Sequence, residues 1–339
     1  MKYWFVYLAL IVFSLDSVAD QTLFVNAQLR STASAQIKVQ ILENPSPVGN
    51  GKNVLVVHGL AHTGNAVKPL AQAIFADASL KNKVANVIVF DLPGHGGSSL
   101  PQGLLFGQMS LDDYANTFLS LLGELHDLNI NVDAVVGHSM GAVIVQLAQT
   151  KLLALGADLK NDFGVNNVVL LASTMPRQLP WVLADSGLTT LLAIPNIRLS
   201  PELGTYVDVP TLLWQNLWFT NRLYLIYAPG TPSISSIHNL GYISKEALQA
   251  AGEVIGLVGF HRASIQQGAF ASASGPDLRL VAFSEDRNIS VGEERNLYRY
   301  LSNDPTDHKF TVVTRWDAVH DMLISAPKAL ISAGAFADF

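Results

Sequence analysis

Residues 132–153 have the sequence VDAVVGHSMGAVIVQLAQTKLL, and this stretch decides the fold. Its first part, Val132–Val136, is a short, mostly apolar run that predicts a buried strand, and its last part, Ala142–Leu153, has the spacing of a helix. Between them lies Gly137-His138-Ser139-Met140-Gly141, which matches the G-x-S-x-G pattern of a nucleophile elbow, a sharp strand-to-helix turn with serine at its tip.

The spacing of this turn has a steric reason. The backbone of a serine at the tip is strained, and side chains two positions before and after it would collide. Glycine at 137 and 141 removes both collisions. Chance alone gives about 0.1 such matches in a chain of this length, so the flanking strand and helix favour an elbow over an ordinary turn.

The rest of the chain alternates strand and helix patterns around this element. Such alternation predicts an α/β fold with a mainly parallel sheet covered by helices on both faces. The predicted strands are Thr22–Leu29, Gln36–Leu42, Asn53–Val57, Asn86–Phe90, Asn167–Ala172, Leu278–Phe283 and Phe310–Val313, and the first two form a hairpin. Further helical patterns cover Val67–Phe75 and Leu111–Leu125, and one lies between the last two strands.

The alternation is interrupted at 176–264. This segment has scattered prolines, no clear strand pattern and three tryptophans, at Trp181, Trp214 and Trp218. We expect a mostly helical cap inserted into a core formed by 20–175 and 265–339, with Trp214 and Trp218 as substrate contacts. The alternative is a helical layer whose aromatic residues serve only its own packing.

The first nineteen residues resemble a secretory signal. Lys2 precedes the apolar run Tyr3–Leu15, and Ser17-Val18-Ala19 supplies the small residues that a signal peptidase recognises. We expect cleavage after Ala19 and a secreted or periplasmic protein. The alternative is an N-terminal membrane anchor, for which the apolar run is short against the roughly 20 residues that a spanning helix needs.

Composition excludes several classes of function. The chain of 339 residues has a net charge of −6 and no basic tract, so nucleic acid is not an expected partner. It contains no cysteine, which excludes disulfides and thiolate chemistry. No H-E-x-x-H motif and no glycine-rich phosphate fingerprint occur, so neither a metal nor a cofactor is expected.

Two further motifs make the chain resemble the α/β-hydrolase superfamily, within it the lipase, esterase and monoacylglycerol-lipase-like members. Val56-Val57-His58-Gly59-Leu60 is similar to the H-G turn of that family, and Asp91-Leu92-Pro93-Gly94-His95-Gly96-Gly97-Ser98 is similar to its D-x-P-G-x-G-x-S stretch. Both stand in the family's order relative to the elbow. The resemblance covers essentially the whole chain after the signal and implies the α/β-hydrolase fold.

The resemblance also implies a site. Ser139 would be the nucleophile and His320 its general base, since His320-Asp321-Met322-Leu323 looks like the family's histidine loop. The main-chain N–H groups of Met140 and Leu60 would form the oxyanion hole. His58 and His95 are expected to be structural, and His62 could line the pocket.

The acid of this triad is less well defined. It should follow the strand Leu278–Phe283, where the chain continues Ser284-Glu285-Asp286-Arg287. Strict family spacing places the acid at Arg287, which has no carboxylate. A shift of one residue makes Asp286 the candidate, and Glu285 is the alternative.

These features together predict a serine hydrolase that cleaves carboxylic esters with an apolar acyl or alcohol group through an acyl-enzyme. A lactonase, thioesterase, amidase or perhydrolase would use the same triad, and a non-catalytic binding protein could keep the fold. The expected partner is a small-molecule or lipid ester, with transient contact of the cap with a membrane or lipid surface.

Overall fold

The computed structural model describes residues 20–46, 49–59, 62–99, 101–102, 110–174, 197–200, 204–207, 265–271, 275–286, 289–316, 318, 320 and 322–339. Its strands are β1 (Asp20–Arg30), β2 (Ala33–Glu43), β3 (Lys52–Val57), β4 (Val84–Phe90), β5 (Ala134–His138), β6 (Asn167–Leu171), β7 (Ile197–Ser200), β8 (Gly204–Val207), β9 (Asp277–Phe283) and β10 (Phe310–Val313). Its helices are α1 (Lys68–Ala76), α2 (Leu111–Asp127), α3 (Met140–Ala154), α4 (Leu159–Phe163), α5 (Val291–Ser302), α6 (Met322–Ser325) and α7 (Pro327–Ser332). A 3₁₀ turn, Gly64–Val67, precedes α1.

Eight strands form one sheet in the order β1-β2-β4-β3-β5-β6-β9-β10. The hairpin β1–β2 is antiparallel, and β2 runs antiparallel to β4. All other neighbours are parallel. The predicted mainly parallel α/β sheet is therefore confirmed. Parallel strands end at one common edge, so the residues that follow β3, β5, β6, β9 and β10 meet there.

Side chains of the central strands alternate between two cores. On β5, Val135 packs into the core that includes α2, α3 and α5, whereas Ala134 and Val136 pack into the core that includes α1, α6 and α7. β5 is buried on both faces, as expected for a central parallel strand. Helix α3 is buried over most of its length, which fixes the turn before it between strand and helix.

Helix α5 has a defined beginning and end. Ser290 caps it by accepting a hydrogen bond from the Glu293 N–H, and Asn303 ends it in the left-handed conformation (φ 54°). Its buried residues are Glu294, Leu297, Tyr298 and Leu301, at the three- and four-residue spacing of one helical face. This face packs α5 beside β9 and the end of β6.

The described residues on either side of 176–264 contact α5. Before the segment, the Thr174 hydroxyl donates to Glu293 Oε1 at 2.7 Å. After it, the main-chain oxygen of Ile265 accepts from the Tyr300 hydroxyl at 2.8 Å, and Phe270 N–H donates to Leu301 O at 2.9 Å. The first and last turns of α5 therefore hold the chain where it leaves and re-enters the core.

Within 176–264 the expectation of no strand was wrong. The structure places an antiparallel hairpin there, β7–β8, in which Ile197 pairs with Val207 and Ser200 with Gly204. Strands of four residues are too short for an alternating pattern to stand out from their surroundings. The remainder of the predicted cap, with Trp214 and Trp218, lies outside the described residues.

The predicted signal, residues 1–19, also lies outside the described residues. Among the helices that the structure describes, none is both long and apolar enough to cross a membrane.

Candidate active site

Ser139 occupies the tip of the turn between β5 and α3. Its backbone has φ 52° and ψ −119°, which is a strained combination for a residue with a side chain and costs on the order of 1–3 kcal/mol. The Ser139 N–H still bonds to the main-chain oxygen of Leu171 on β6 at 2.9 Å, so the neighbouring strand supports the turn. The strained turn places the Ser139 hydroxyl at the edge of the sheet where the parallel strands end.

The two glycines of the elbow are required by close backbone contacts. A Cβ at Gly141 would lie 2.6 Å from the main-chain oxygen of His58, and one at Gly137 would lie 2.7 Å from Ala142 Cα. Real Cβ atoms do not approach backbone atoms this closely. The steric argument made from the sequence is confirmed, and the Gly141 contact brings α3 directly against the end of β3.

The structure brings Ser139, His320 and Asp286 together. His320 Nε2 is 2.9 Å from Ser139 Oγ, and His320 Nδ1 is 2.8 Å from Asp286 Oδ2. His320 follows β10 and Asp286 follows β9, so both reach Ser139 from the same edge of the sheet. Because a carboxylate accepts hydrogen bonds, Nδ1 carries the proton, and Nε2 is left to accept from the serine hydroxyl.

The turn after β9 accounts for the position of Asp286, the expected acid, one residue earlier than family spacing suggests. Asp286 N–H donates to Phe283 O at 3.2 Å, which closes a tight turn directly after the strand. Ile289 N–H then donates to Asp286 Oδ1 at 3.1 Å and leaves Oδ2 for His320. The Asp286 side chain is fully buried, whereas Glu285 is exposed and does not face His320.

His138, the second residue of the elbow, contacts the loop of the base. Its Nε2 lies 2.8 Å from the main-chain oxygen of His320, so Nε2 carries the proton and donates. Burial and the neighbouring His320 lower the pKa of His138 to about 3, which keeps the ring neutral. The ring of His62 stacks on His138 at 5.8 Å between centroids, and burial also lowers the pKa of His62 well below its usual value.

His58 braces the H-G turn, as the sequence indicated. Its Nδ1 lies 2.9 Å from Gly59 O, and its Nε2 accepts from the Leu92 N–H at 3.1 Å. Burial, together with the nearby His95, lowers the pKa of His58 to about 3. His95 is also fully buried, with its ring 5.1 Å from that of His58. Both histidines therefore connect the H-G turn with the loop after β4.

Asp91 organises that same loop. Its carboxylate accepts from the N–H groups of Gly64 at 2.7 Å and Gly97 at 2.8 Å. The D-x-P-G-x-G-x-S stretch thus holds the residues that follow the H-G turn.

The two expected oxyanion donors differ in what the structure shows. Met140 is the first residue of α3, where a main-chain N–H has no partner within its own helix. Leu60 lies outside the described residues. Among the described residues, no group of three or more His, Asp or Glu side chains is arranged to hold a metal ion.

Sequence reasoning missed two contacts near this site. The His138 side chain was treated only as a variable position of the elbow motif. Glu294 was not singled out, although it stands three residues before Leu297 on the apolar stripe of α5. A charged residue on an otherwise apolar helix face was the signal that could have identified it.

Comparisons with known proteins identify the family of the chain. The model of the alpha/beta hydrolase family matches residues 54–333, and the chain therefore belongs to that family. No curated protein matches the chain in sequence.

Solved structures show the same fold at low identity. An esterase from Exiguobacterium antarcticum is 12% identical with a TM-score of 0.60, over 92% of this chain and 98% of its own. A bromoperoxidase from Bacillus anthracis is 14% identical with a TM-score of 0.60, over 92% and 98%. An esterase from Thermogutta terrifontis is 15% identical with a TM-score of 0.56, over 94% and 97%. At such identities the likeness concerns the fold alone.

Proposed function

We propose that the protein is a serine hydrolase that cleaves carboxylic esters through an acyl-enzyme. The observation that carries the proposal is the hydrogen-bonded chain from Ser139 Oγ through His320 to Asp286 Oδ2. A serine hydroxyl becomes an effective nucleophile when a neutral imidazole can take its proton, and a carboxylate orients that imidazole. The hydroxyl of Ser139, the imidazole of His320 and the carboxylate of Asp286 have these positions relative to one another.

The reaction follows from that arrangement. Ser139 Oγ attacks the ester carbonyl carbon while its proton passes to His320 Nε2. The negative charge on the carbonyl oxygen is held by main-chain N–H groups, for which Met140 and Leu60 are the proposed donors. When the tetrahedral intermediate collapses, His320 gives the proton to the leaving alcohol. A water molecule then gives a proton to His320 and attacks the acyl carbonyl carbon. When this second tetrahedral intermediate collapses, His320 returns the proton to Ser139 Oγ and the carboxylic acid is released.

The substrate class is proposed from the composition of 176–264. The chain leaves the core after Thr174, beside the edge that carries Ser139, and the sequence of 176–264 concentrates tryptophan. We therefore propose an ester with an apolar acyl or alcohol group. Each buried methylene contributes about 0.8 kcal/mol, so kcat/KM should rise up to about fourfold per methylene until the pocket is full.

Labelling with a fluorophosphonate probe tests the nucleophile without knowledge of the substrate. We expect wild type to be labelled at Ser139 and Ser139→Ala to remain unlabelled. Ser139→Ala should also lose about a millionfold in kcat for short p-nitrophenyl esters. A folded wild-type protein that the probe does not label would instead support a binding protein with this fold.

A second measurement tests the substrate class. kcat/KM is measured for acetyl, butyryl, hexanoyl and octanoyl esters with wild type, Trp214→Ala and Trp218→Ala. A chain-length preference that flattens in one variant supports a binding role for that tryptophan. Faster turnover of lactones, thioesters or amides than of every ester would keep the triad and reject ester hydrolysis as the activity.

A further inference from the structure

Glu294 is a buried carboxyl group that the proposed reaction does not use. It lies in the first turn of α5, the helix that follows the turn with Asp286, and its side chain is fully buried. Its Oε1 accepts a hydrogen bond from the main-chain N–H of Ser173 at 2.9 Å. Its Oε2 has no hydrogen-bond partner among the residues that the structure describes. An ionised carboxylate in this position would be costly, because burial removes the water that stabilises its charge.

Gln146 on α3 also contacts Ser173 and, like Glu294, has a buried oxygen atom. Its Nε2 donates to Ser173 Oγ at 2.6 Å, while its Oε1 is buried and has no partner in the described part of the chain. Ser173 therefore contacts both side chains, Glu294 through its main-chain N–H and Gln146 through its hydroxyl. Each of these two side chains has one buried oxygen without a hydrogen-bond partner among the described residues.

Two acceptor oxygens cannot bond to each other, but a proton changes this. An ionised glutamate only accepts hydrogen bonds, whereas a protonated one has an O–H group that donates. A proton on Glu294 Oε2 would give Gln146 Oε1 a donor. One bond would then satisfy both buried oxygens without reversing the Gln146 amide, whose Nε2 already donates to Ser173 Oγ.

The electrostatic surroundings favour the same protonation state. The charged groups that act on Glu294 are Asp286 on the acid turn and Glu293 on its own helix, and both are acidic. The main-chain N–H groups of Ser173 and Phe283, at the ends of β6 and β9, lower the pKa of Glu294, but each does so by less than burial raises it. Burial raises the pKa of Glu294 well above its usual value, and the negative charge of Asp286 raises it further.

We propose that Glu294 is a neutral carboxylic acid at neutral pH, that its Oε2–H donates to Gln146 Oε1, and that it positions the acid turn relative to the end of β6. The contact with Ser173 joins the helix that follows Asp286 to the strand next to the elbow. A neutral group makes this contact without placing a second negative charge beside Asp286. The protonation state is independent of any activity, whereas the effect on catalysis rests on the proposed function.

Infrared spectroscopy tests the protonation state directly. Protein labelled with ¹³C-glutamate should show, at pH 7, the C=O band of a protonated glutamic acid. We expect this band to disappear in Glu294→Gln and to persist in Glu293→Gln, which removes a carboxylate from the next position of the same helix. If wild type shows no such band, or if the band survives in Glu294→Gln, the proposal is wrong.

Kinetics of two variants test the positioning role. In Glu294→Gln the amide oxygen still accepts from Ser173 and the amide N–H donates to Gln146, so kcat should stay within about threefold of wild type. Glu294→Met has similar length and loses both bonds, and we expect kcat to fall about tenfold with little change in KM. Equal losses in both variants would overturn the assignment of a proton to Glu294. If Glu294→Met does not fold, the comparison of Glu294→Gln with wild type still decides it.

Discussion

The side chain of His138 lies 2.8 Å from the main-chain oxygen of His320, although the two residues are 182 positions apart in the sequence. Ser139 follows His138 directly, so one strand end carries the proposed nucleophile and also holds the backbone of the proposed base. The bond holds the main chain of His320 beside the turn that carries Ser139. His138 is therefore a positioning residue for the proposed reaction.

Two replacements of His138 should separate the effect of its hydrogen bond on kcat from the effect of its side-chain volume. His138→Gln retains an N–H donor that can reach the His320 carbonyl, and we expect kcat within about threefold of wild type. His138→Leu fills space without a donor and should lower kcat on the order of tenfold to a hundredfold with a smaller change in KM. Steady-state kinetics at matched folded fractions check this. Equal kcat in both variants would show that the contact does not position the base.

Replacements of the neighbouring residues Asp286 and Glu285 should differ sharply in their effect on kcat. Asp286→Asn removes the negative charge that orients His320 Nδ1 and should reduce kcat about ten-thousandfold. Glu285→Gln removes an exposed carboxylate one residue earlier and should change kcat less than about twofold. Single-turnover kinetics with a p-nitrophenyl ester measure both. A larger loss in Glu285→Gln would reverse the assignment.

The pH dependence of kcat/KM should show one titration on its acid side. His320 must be neutral to accept the proton of Ser139, so kcat/KM should rise as pH increases through the imidazole range, about 6.5 in peptides. Burial lowers the pKa of His58 and His138 to about 3 and that of His62 well below its usual value. These three rings stay neutral throughout this range. The acid side of a plot of log(kcat/KM) against pH should therefore have a slope of one. A flat profile between about pH 5 and 9, with chemistry rate-limiting, would contradict a histidine base.

Two glycine-to-alanine changes should have opposite effects on stability. Gly141→Ala places a methyl group against the main-chain oxygens of Val57 and His58 and should lower the free energy of unfolding by about 3 kcal/mol or more. Gly123 lies within α2, and a Cβ there would meet no atom within 4 Å. Gly123→Ala should therefore stabilise the protein by up to about 1 kcal/mol. Urea unfolding of both variants, with wild type as reference, measures the contrast.

The neutral state of Glu294 should appear in the pH dependence of stability. Its pKa is raised in the folded protein, so above about pH 4.3, the usual pKa of glutamate, the folded state holds a proton that the unfolded state has released. Its contribution to stability therefore decreases as pH rises towards the raised pKa. The amide of Glu294→Gln does not titrate. The melting temperature of this variant should therefore rise relative to that of wild type as pH increases. A gap that stays constant from acid to alkaline pH would show that Glu294 does not titrate on unfolding in this way.

The sequence by itself determined the sheet, the elbow and the order of the chemical groups. Strands and helices follow from apolar periodicity and from turn residues, which are local properties of the chain. The need for glycine at 137 is local too, because a Cβ there would collide with Ala142 in the same strand–turn–helix unit, whereas a Cβ at Gly141 would collide with Val57 and His58 at the end of β3. The resemblance to the α/β-hydrolase superfamily, with its order of serine, acid and histidine, then indicated the turn after Leu278–Phe283 and His320 as the expected acid and base.

Only the tertiary structure decided which side chains face one another at that edge. Asp286 and Glu285 are adjacent in sequence, and the tight turn closed by Phe283 determines that Asp286 points at His320. The bond from His138 to His320, and the burial of Glu294 against Ser173, join residues more than a hundred positions apart. Such contacts depend on where the ends of separate strands and helices lie, which no local pattern encodes. The strands β7 and β8 were missed for a different reason, since four residues are too few for an alternating pattern to stand out.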